Sequence, residues 1–426
     1  MGNVIVIGGG AAGMMASIIA ARNGKKVTII EQQNKLGRKI LSTGNGRCNY
    51  TNEYQSPSCY SSSNPDFPYK IYKQFPIEET IDFFNSIGVY PKSREGYIYP
   101  NSDQASSVVD NLVIELNRLN VKVMLNSKCQ KIVADTSGFK VYTEGTKSTE
   151  SRDVSNADGN SVGGSVKNEC LIGDKVILTT GGKAASVLGS DGSGYGLAKS
   201  FGHNIIPVLP SLVQLRCQEA FYKDIAGIRV QGKVTLVVDG NNIVSDTGEI
   251  QLTDYGISGI PVFQMSGQAA KHLAKNRRVE VVLDFMPNLS LEQLTTLLIE
   301  RLESNGKRLG SEFLIGLLPK KLSDLLINLC GFLMDKSIEN LSGNDMDKLA
   351  IQIKNFTTRV LATNSFDKAQ VCSGGVDTKE INPDTLESKI VKGLFFAGEI
   401  LDVDGICGGY NLQWAWSSGY VGGKSC

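Results

Sequence analysis

The 426 residues carry 41% hydrophobic and 20% charged side chains, the balance of an ordinary globular protein long enough for two to three domains. Forty-four basic residues against 43 acidic ones leave a net charge of +1, which gives no electrostatic footprint for nucleic acid or an anionic membrane. Nine cysteines with no CxxC pair, and only His203 and His272 as imidazoles, argue against a disulfide framework, a zinc cluster or a His-based metal centre, and agree with a reducing cytosol.

The apolar start, Met1–Ala21, lacks the basic leader of a signal peptide and is interrupted by Gly8, Gly9, Gly10 and Gly13. Val6 stands where N-myristoylation requires Ser or Thr, and no apolar run is long enough to span a bilayer. A cytoplasmic chain is expected. Val4–Ile7 predicts a buried strand, Gly8–Gly13 a turn, Ala11–Asn23 a small-residue helix closed by Gly24, and Lys26–Glu31 a second strand. Together they make a β-α-β unit of about 30 residues. Leu36 to Pro68 reads as a long loop of Gly, Asn and Ser, followed by amphipathic helices at Ile77–Ile87 and Ser106–Leu119. Strands are predicted at Val121–Leu125, Gln130–Asp135, Phe139–Thr143 and Cys170–Thr180. The polar stretch Glu144–Glu169 between them reads as a hairpin tip or surface insertion.

From Pro207 to Leu283 short strands such as Val234–Val238 and Val279–Leu283 alternate with turn residues, a β-rich module. Leu289–Leu341 is mostly helical, with Ser290 as N-cap of a first helix at Glu292–Leu302. Lys392–Cys426 returns to a strand, a glycine-rich loop and a final helix running through Ser418. A β-rich and a helical module thus interrupt one α/β domain.

Gly8-Gly9-Gly10-Ala11-Ala12-Gly13 fits G-x-G-x-x-G between a strand and a helix. Gly8 permits the tight turn, Gly10 lets backbone approach a pyrophosphate, and Gly13 lets the helix pack close to the strand. The helix N-terminus offers N–H groups and a positive dipole end to the phosphates. Glu31, ending the second strand, is placed to accept hydrogen bonds from a ribose diol. The acid argues against a 2′-phosphate here. It does not separate FAD from NAD.

Three later segments favour FAD. Gly37–Asn49 holds Arg38, Lys39 and Arg47 for phosphate, Asn45 and Asn49 for polar flavin edges, and Thr43, Gly44, Gly46 and Cys48 in a loop open to close approach. Ile177–Gly182 is an apolar strand ending in the small residues Thr180, Gly181 and Gly182, which permit a tight turn beside a dinucleotide. Gly393–Glu399 is a strand running through Gly398 into an acid, with Asp402 after it, and Gly409, Tyr410, Asn411, Leu412 and Gln413 open a helix. That helix N-terminus is able to aim its dipole at the flavin N1/C2 edge, where negative charge collects on reduction. Gln32 and Cys129 complete the candidate cofactor residues.

Gly37–Asn52 (GRKILSTGNGRCNYTN) and Phe395–Gly419 (FFAGEILDVDGICGGYNLQWAWSSG) resemble the bacterial BaiN-like, or YhiN-like, NAD(P)/FAD-dependent oxidoreductases. The similarity extends to Gly248–Ser266 and Ala369–Val376 and covers nearly the whole chain. It implies an α/β fold with a glutathione-reductase-like, Rossmann-type FAD-binding domain at 1–200 and 365–426. A β-barrel-like domain at 201–285 and 345–364 interrupts it and carries a helical subdomain at 286–344. Where the family often has Thr-His, this chain has Thr253-Asp254, so no role of that histidine carries over.

Three activities are open, the first two of them implied by the resemblance. NAD(P)H-driven reduction of a C=C or C=O bond in a small, steroid-like enone leads, with oxidation of small amines of the aminoacetone type by oxygen as the alternative. A flavin-containing RNA-modification or binding factor is the third, and the neutral charge speaks against it. Gly192–Gly196 reads as a helix start rather than a second dinucleotide turn, because Val187–Asp191 is not a convincing strand. NAD(P)H is therefore expected to bind transiently at the flavin. Tyr410, beside the expected flavin ring, and Tyr255 and Ser258, at a turn expected to face it, are the candidate catalytic residues. Cys48 and Cys407 read as small buried loop residues. The oligomeric state stays open.

Overall fold

The structure is a computed structural model that describes residues 2–136, 138–145 and 168–426. Most of the polar stretch at 144–169 lies outside the described residues. The chain divides into two units, one formed by residues up to Val208 together with Val371–Cys426, the other by Leu209–Gln370.

In the first unit, five parallel strands are ordered Leu394–Phe396, Lys175–Leu178, Asn3–Ile7, Lys26–Ile30 and Lys122–Met124. The Asn3–Ile7 strand is central, and the chain proceeds from it first to one side and then to the other. That makes a topological switch point, and open α/β sheets bind ligands outside the carboxyl ends of the strands at such points. The Ala11–Arg22 helix crosses over from the central strand, burying Met14, Met15 and Ile18 completely, each worth roughly 1.5–3 kcal/mol relative to exposure. It packs on the C-terminal helix Tyr410–Ser425 through glycines four apart. A Cβ on Gly419 would lie 2.6 Å from the Ala12 carbonyl oxygen, and one on Gly423 would lie 2.4 Å from that of Ala16. Only glycine permits this approach.

The second unit is built on a closed six-stranded antiparallel barrel. Its strands run in the order Leu215–Cys217, Gly256–Ser258, Asn241–Thr253, Arg229–Val238, Val279–Asp284 and Phe356–Thr363. Helices Leu291–Asn305, Lys320–Leu329 and Gly343–Lys354 add Leu294, Leu298, Leu322, Leu326, Leu349 and Ile353 to the same buried cluster as Val234, Leu236, Val281 and Leu283 of the barrel. Ser290 caps the first of them in a reciprocal box: its hydroxyl accepts from Gln293 N–H at 3.1 Å while Gln293 Oε1 accepts from Ser290 N–H at 2.8 Å.

Four sequence expectations change. Cys170–Thr180 is two strands, Glu169–Gly173 in a separate antiparallel sheet and Lys175–Leu178 in the parallel one. The break falls at Asp174, whose N–H donates to Asn3 O at 2.8 Å and whose carboxylate accepts from Asn3 N–H at 2.6 Å. The β-rich stretch also holds the helix Ile260–Leu273, with Pro261 in its first turn. Leu36–Pro68 is not a plain loop, for it contains the helix Arg38–Ser42 and two short strands, Thr51–Asn52 and Tyr60–Ser61. Those strands pair with Tyr97–Pro100 and Asp404–Gly405, partners too distant for local reading. The final helix continues past Ser418 to Ser425. Among the described residues, no helix is long and apolar enough to cross a membrane.

Candidate functional site: a dinucleotide cradle at the strand ends

Ile7, Ile30, Leu178 and Phe396 end four adjacent strands, so Gly8, Glu31, Thr179 and Ala397 line one edge of the sheet. Gly8 has φ +106°, and a Cβ there would meet Thr179 O at 2.5 Å. A Cβ on Gly13 would lie 1.9 Å from Gly8 O, so the helix starts in direct contact with the turn. Gly10 differs: nothing lies within 4 Å of its would-be Cβ. It is the N-cap residue and contributes no side-chain cap, leaving the first-turn N–H groups of Ala11, Ala12 and Gly13 without i−4 partners. Glu31, only 9% exposed, accepts from Gly9 N–H at 2.7 Å and Gln33 N–H at 2.8 Å. Burial raises its carboxyl pKa, with those backbone bonds pulling the other way. A carboxylate has about four acceptor sites, so capacity for a ribose diol remains.

Lys39 Nζ donates to Glu399 Oε2 at 2.7 Å, and Cys372 N–H donates to Glu399 Oε1 at 3.0 Å. A Cβ on Gly182 would lie 2.8 Å from that same Oε1. Arg38 turns to Gln33, while Gln32 donates to Gly189 O at 2.5 Å. Gly181 has φ +74°, and the Thr180 hydroxyl oxygen is buried without a hydrogen-bond partner. Gly398 is held from both sides: its N–H donates to Ser418 Oγ at 2.9 Å and its carbonyl accepts from Trp414 Nε1 at 3.1 Å. Asp402 accepts from Ser63 N–H at 2.8 Å.

Thr43–Gly46 is a tight turn in which Gly44, Asn45 and Gly46 all have positive φ; these three and Arg47 are exposed, and Thr43 is half-buried. Cys48 behind it is fully buried, and burial pushes its thiol up to about 12. Asn49 Oδ1 is buried without a partner. A Cβ on Gly409 would stand 2.9 Å from that atom and 2.6 Å from Thr51 O. Asn411 clamps Gly405, accepting from its N–H and donating to its carbonyl, each at 2.8 Å. Leu412 packs partly into the core. Gln413 is wholly buried; it accepts from Thr51 Oγ1 at 2.6 Å and donates to Thr80 Oγ1 at 2.8 Å. Tyr410 is 4% exposed, edge-on to Tyr60, and burial raises its phenol pKa. Cys129, in the Ser127–Asp135 strand, is 7% exposed, its thiol pushed up to about 12 by burial.

Tyr255 and Ser258 belong to the second unit. Arg216 lies over the Tyr255 ring at 5.2 Å, and Ser258 is buried in the barrel opposite Gln251. Ser418 and Trp414, which fix Gly398, and Cys372, which fixes Glu399, went unread in the sequence. The i, i+4 spacing of Trp414 and Ser418 on one helix face was the available signal.

The residues at these strand ends fit FAD. An open backbone position at Gly10, an uncapped helix start and a carboxylate at the second strand end match a pyrophosphate and a ribose. The two orphaned buried oxygens, Asn49 Oδ1 and Thr180 Oγ1, lack the partners that buried polar atoms ordinarily have.

Residues 2–425 match the family described as the HI0933-like protein Rossmann domain. The chain is 42% identical over 427 residues to a 3-dehydro-bile acid delta(4,6)-reductase of Clostridium scindens, covering 100% of this chain and 99% of that protein. It is 32% identical over 425 residues to a ribosomal RNA dihydrouridine synthase of Escherichia coli, covering 98% and 96% of the two chains. To a protein of the same description from Haemophilus influenzae it is 33% identical over 421 residues, again covering 98% and 96%.

Proposed function

The chain belongs to the HI0933-like Rossmann-domain family and is a FAD-dependent oxidoreductase; from that premise we propose that it uses NAD(P)H to reduce the conjugated C=C bond of a small, steroid-like enone. The full-length similarity to an enzyme named for reducing a dehydro bile acid carries this reading. Bound FAD supplies hydride transfer at N5.

The chain's own residues orient and protonate. Ala11–Gly13 and Glu31 hold the ADP half, and Lys39 keeps the Glu399 carboxylate charge-balanced at its place beside Gly182. Tyr410, at the N-terminus of the C-terminal helix, is proposed as the proton donor to the developing enolate. NAD(P)H is proposed to bind transiently, since Ser193–Ser200 is a helix preceded by the single helical turn Ser186–Leu188 rather than by a strand.

The dihydrouridine synthases support a second reading, in which the reduced double bond is that of a uracil ring in RNA. Both readings describe saturation of a C=C bond conjugated to a carbonyl. Anaerobic titration of the holoprotein with NADH and NADPH, followed by reoxidation with a steroidal enone or ribosomal RNA, and a separate aerobic assay in which aminoacetone is the sole reductant and oxygen the oxidant, separate them. Bleaching of the flavin and its recovery on enone is expected. Absence of bleaching by either nucleotide overturns the reductase; recovery on RNA alone moves the substrate, and turnover on oxygen plus amine alone makes it an oxidase.

A further inference from the structure

His203 is 3% exposed, and its ring bonds on both sides. Nδ1 is 3.0 Å from Glu380 Oε2 and Nε2 is 2.8 Å from Ser388 Oγ. An ionised carboxylate only accepts, so Nδ1 carries the proton and Nε2 accepts from the serine hydroxyl. Ser388 Oγ in turn accepts from Ile390 N–H at 3.0 Å and Val391 N–H at 2.9 Å. Glu380 is fixed by Asn204, whose N–H donates at 2.9 Å and whose side-chain amide donates at 2.5 Å.

Serine, histidine and acid in a row resemble a hydrolytic triad. Ser388 is nevertheless 6% exposed, with its oxygen directed at two N–H groups of its own turn. No substrate carbonyl reaches it. Its position points elsewhere. Ser388 N–H donates to Leu394 O at 2.7 Å, Phe396 N–H donates to Leu386 O at 3.1 Å, and Glu387 bridges Phe395. The Phe396 ring packs edge-on to His203 with centroids 4.8 Å apart. The strand so held, Leu394–Phe396, leads straight into Ala397, Gly398 and Glu399.

We propose that His203, Glu380 and Ser388 are positioning residues: a buried relay that fixes the Leu394–Phe396 strand and with it the Gly398–Glu399 turn, and that loosens FAD when His203 takes up a proton. The inference rests on the reading of that turn as part of the FAD cradle. Protonation would place an N–H on Nε2 facing an oxygen that already accepts two others, so three donors would converge on one atom. Glu380 is the charged group facing the ring. Lys379 and Lys389 flank it, but the Lys389 ammonium is bonded to Lys379 O at 2.8 Å, and Glu387 accepts from Gly393 N–H. Burial lowers the imidazole pKa, against an upward pull from Glu380. A base held below its unfolded pKa of about 6.5 stabilises fully above that value and loses the contribution as pH falls from there through the lowered folded pKa.

The test compares wild type, His203→Gln, Ser388→Ala and Glu399→Gln, reading FAD Kd by flavin fluorescence and Tm of the FAD-free chain between pH 5 and 8. His203→Gln retains one donor and one acceptor but cannot titrate. As pH falls through the lowered folded pKa of His203, the wild-type Kd should rise, by at most about tenfold per pH unit for one proton, and the His203→Gln profile should lose this step. Ser388→Ala should bind FAD several-fold more weakly at pH 7.5. Superimposable wild-type and His203→Gln profiles, unchanged FAD affinity in Ser388→Ala, or covalent capture of Ser388 by a fluorophosphonate would each overturn the relay. Unchanged FAD affinity in Glu399→Gln removes the turn from the cradle and with it the link to FAD. The Tm profile of the FAD-free chain still reads the relay in that case.

Discussion

Among the helices of the first unit that begin at glycines without a side-chain cap, Ala11–Arg22 after Gly10 and Tyr410–Ser425 after Gly409 differ in their surroundings. At Gly10 a Cβ would meet nothing within 4 Å; at Gly409 it would stand 2.6 Å from Thr51 O. The first turn of the C-terminal helix is also tied inward by Asn411 and Gln413. The same local pattern thus serves two ends. One helix start is left open, and the other is packed and anchored.

The comparison breaks most visibly at Gly13. Gly13→Val puts side-chain carbon against Gly8 O and should cost about 3 kcal/mol or more, read by denaturant unfolding; wild-type stability would mean the helix does not approach so closely. Gln413→Leu should cost about 2–3 kcal/mol in urea unfolding, because Thr51 and Thr80 lose a buried partner. A loss confined to FAD affinity, at unchanged stability, would instead make Gln413 a ligand residue. Glu31→Ala should weaken FAD by roughly 1.5–3 kcal/mol, the worth of a charged hydrogen bond, seen by titrating the apoprotein calorimetrically. The smallest effect belongs to Lys39 and Glu399. Both are partly exposed, so a double-mutant cycle with Lys39→Met and Glu399→Gln should give a coupling of about 1 kcal/mol or less, falling with salt.

The open turn was legible in sequence because strand, G-x-G-x-x-G, helix and terminal acid all lie within one contiguous stretch. The anchored turn was legible only in outline. Gly408–Gln413 shows a loop and a helix start, but the partners that crowd it, Asn49, Thr51, Asn52 and Tyr97, come from the other end of the chain. Other signals were present and passed over. Glu95-Gly96, both at positive φ, join the antiparallel strands Pro91–Arg94 and Tyr97–Pro100, a two-residue hairpin that the dipeptide permits. Pro261 in a first helical turn marked a helix inside a β-rich stretch. His203 gave no signal at all, since its partners lie 177 and 185 residues away.

Gly10→Ala tests the central contrast most directly, with FAD Kd and the Tm of the FAD-free chain measured on one preparation. Gly10 has φ −80°, which alanine adopts freely. Stability of the FAD-free chain should therefore stay within about 0.5 kcal/mol of wild type, while FAD binding weakens by about tenfold or more because the added carbon occupies the approach to the pyrophosphate. Wild-type FAD affinity in Gly10→Ala would contradict the cradle.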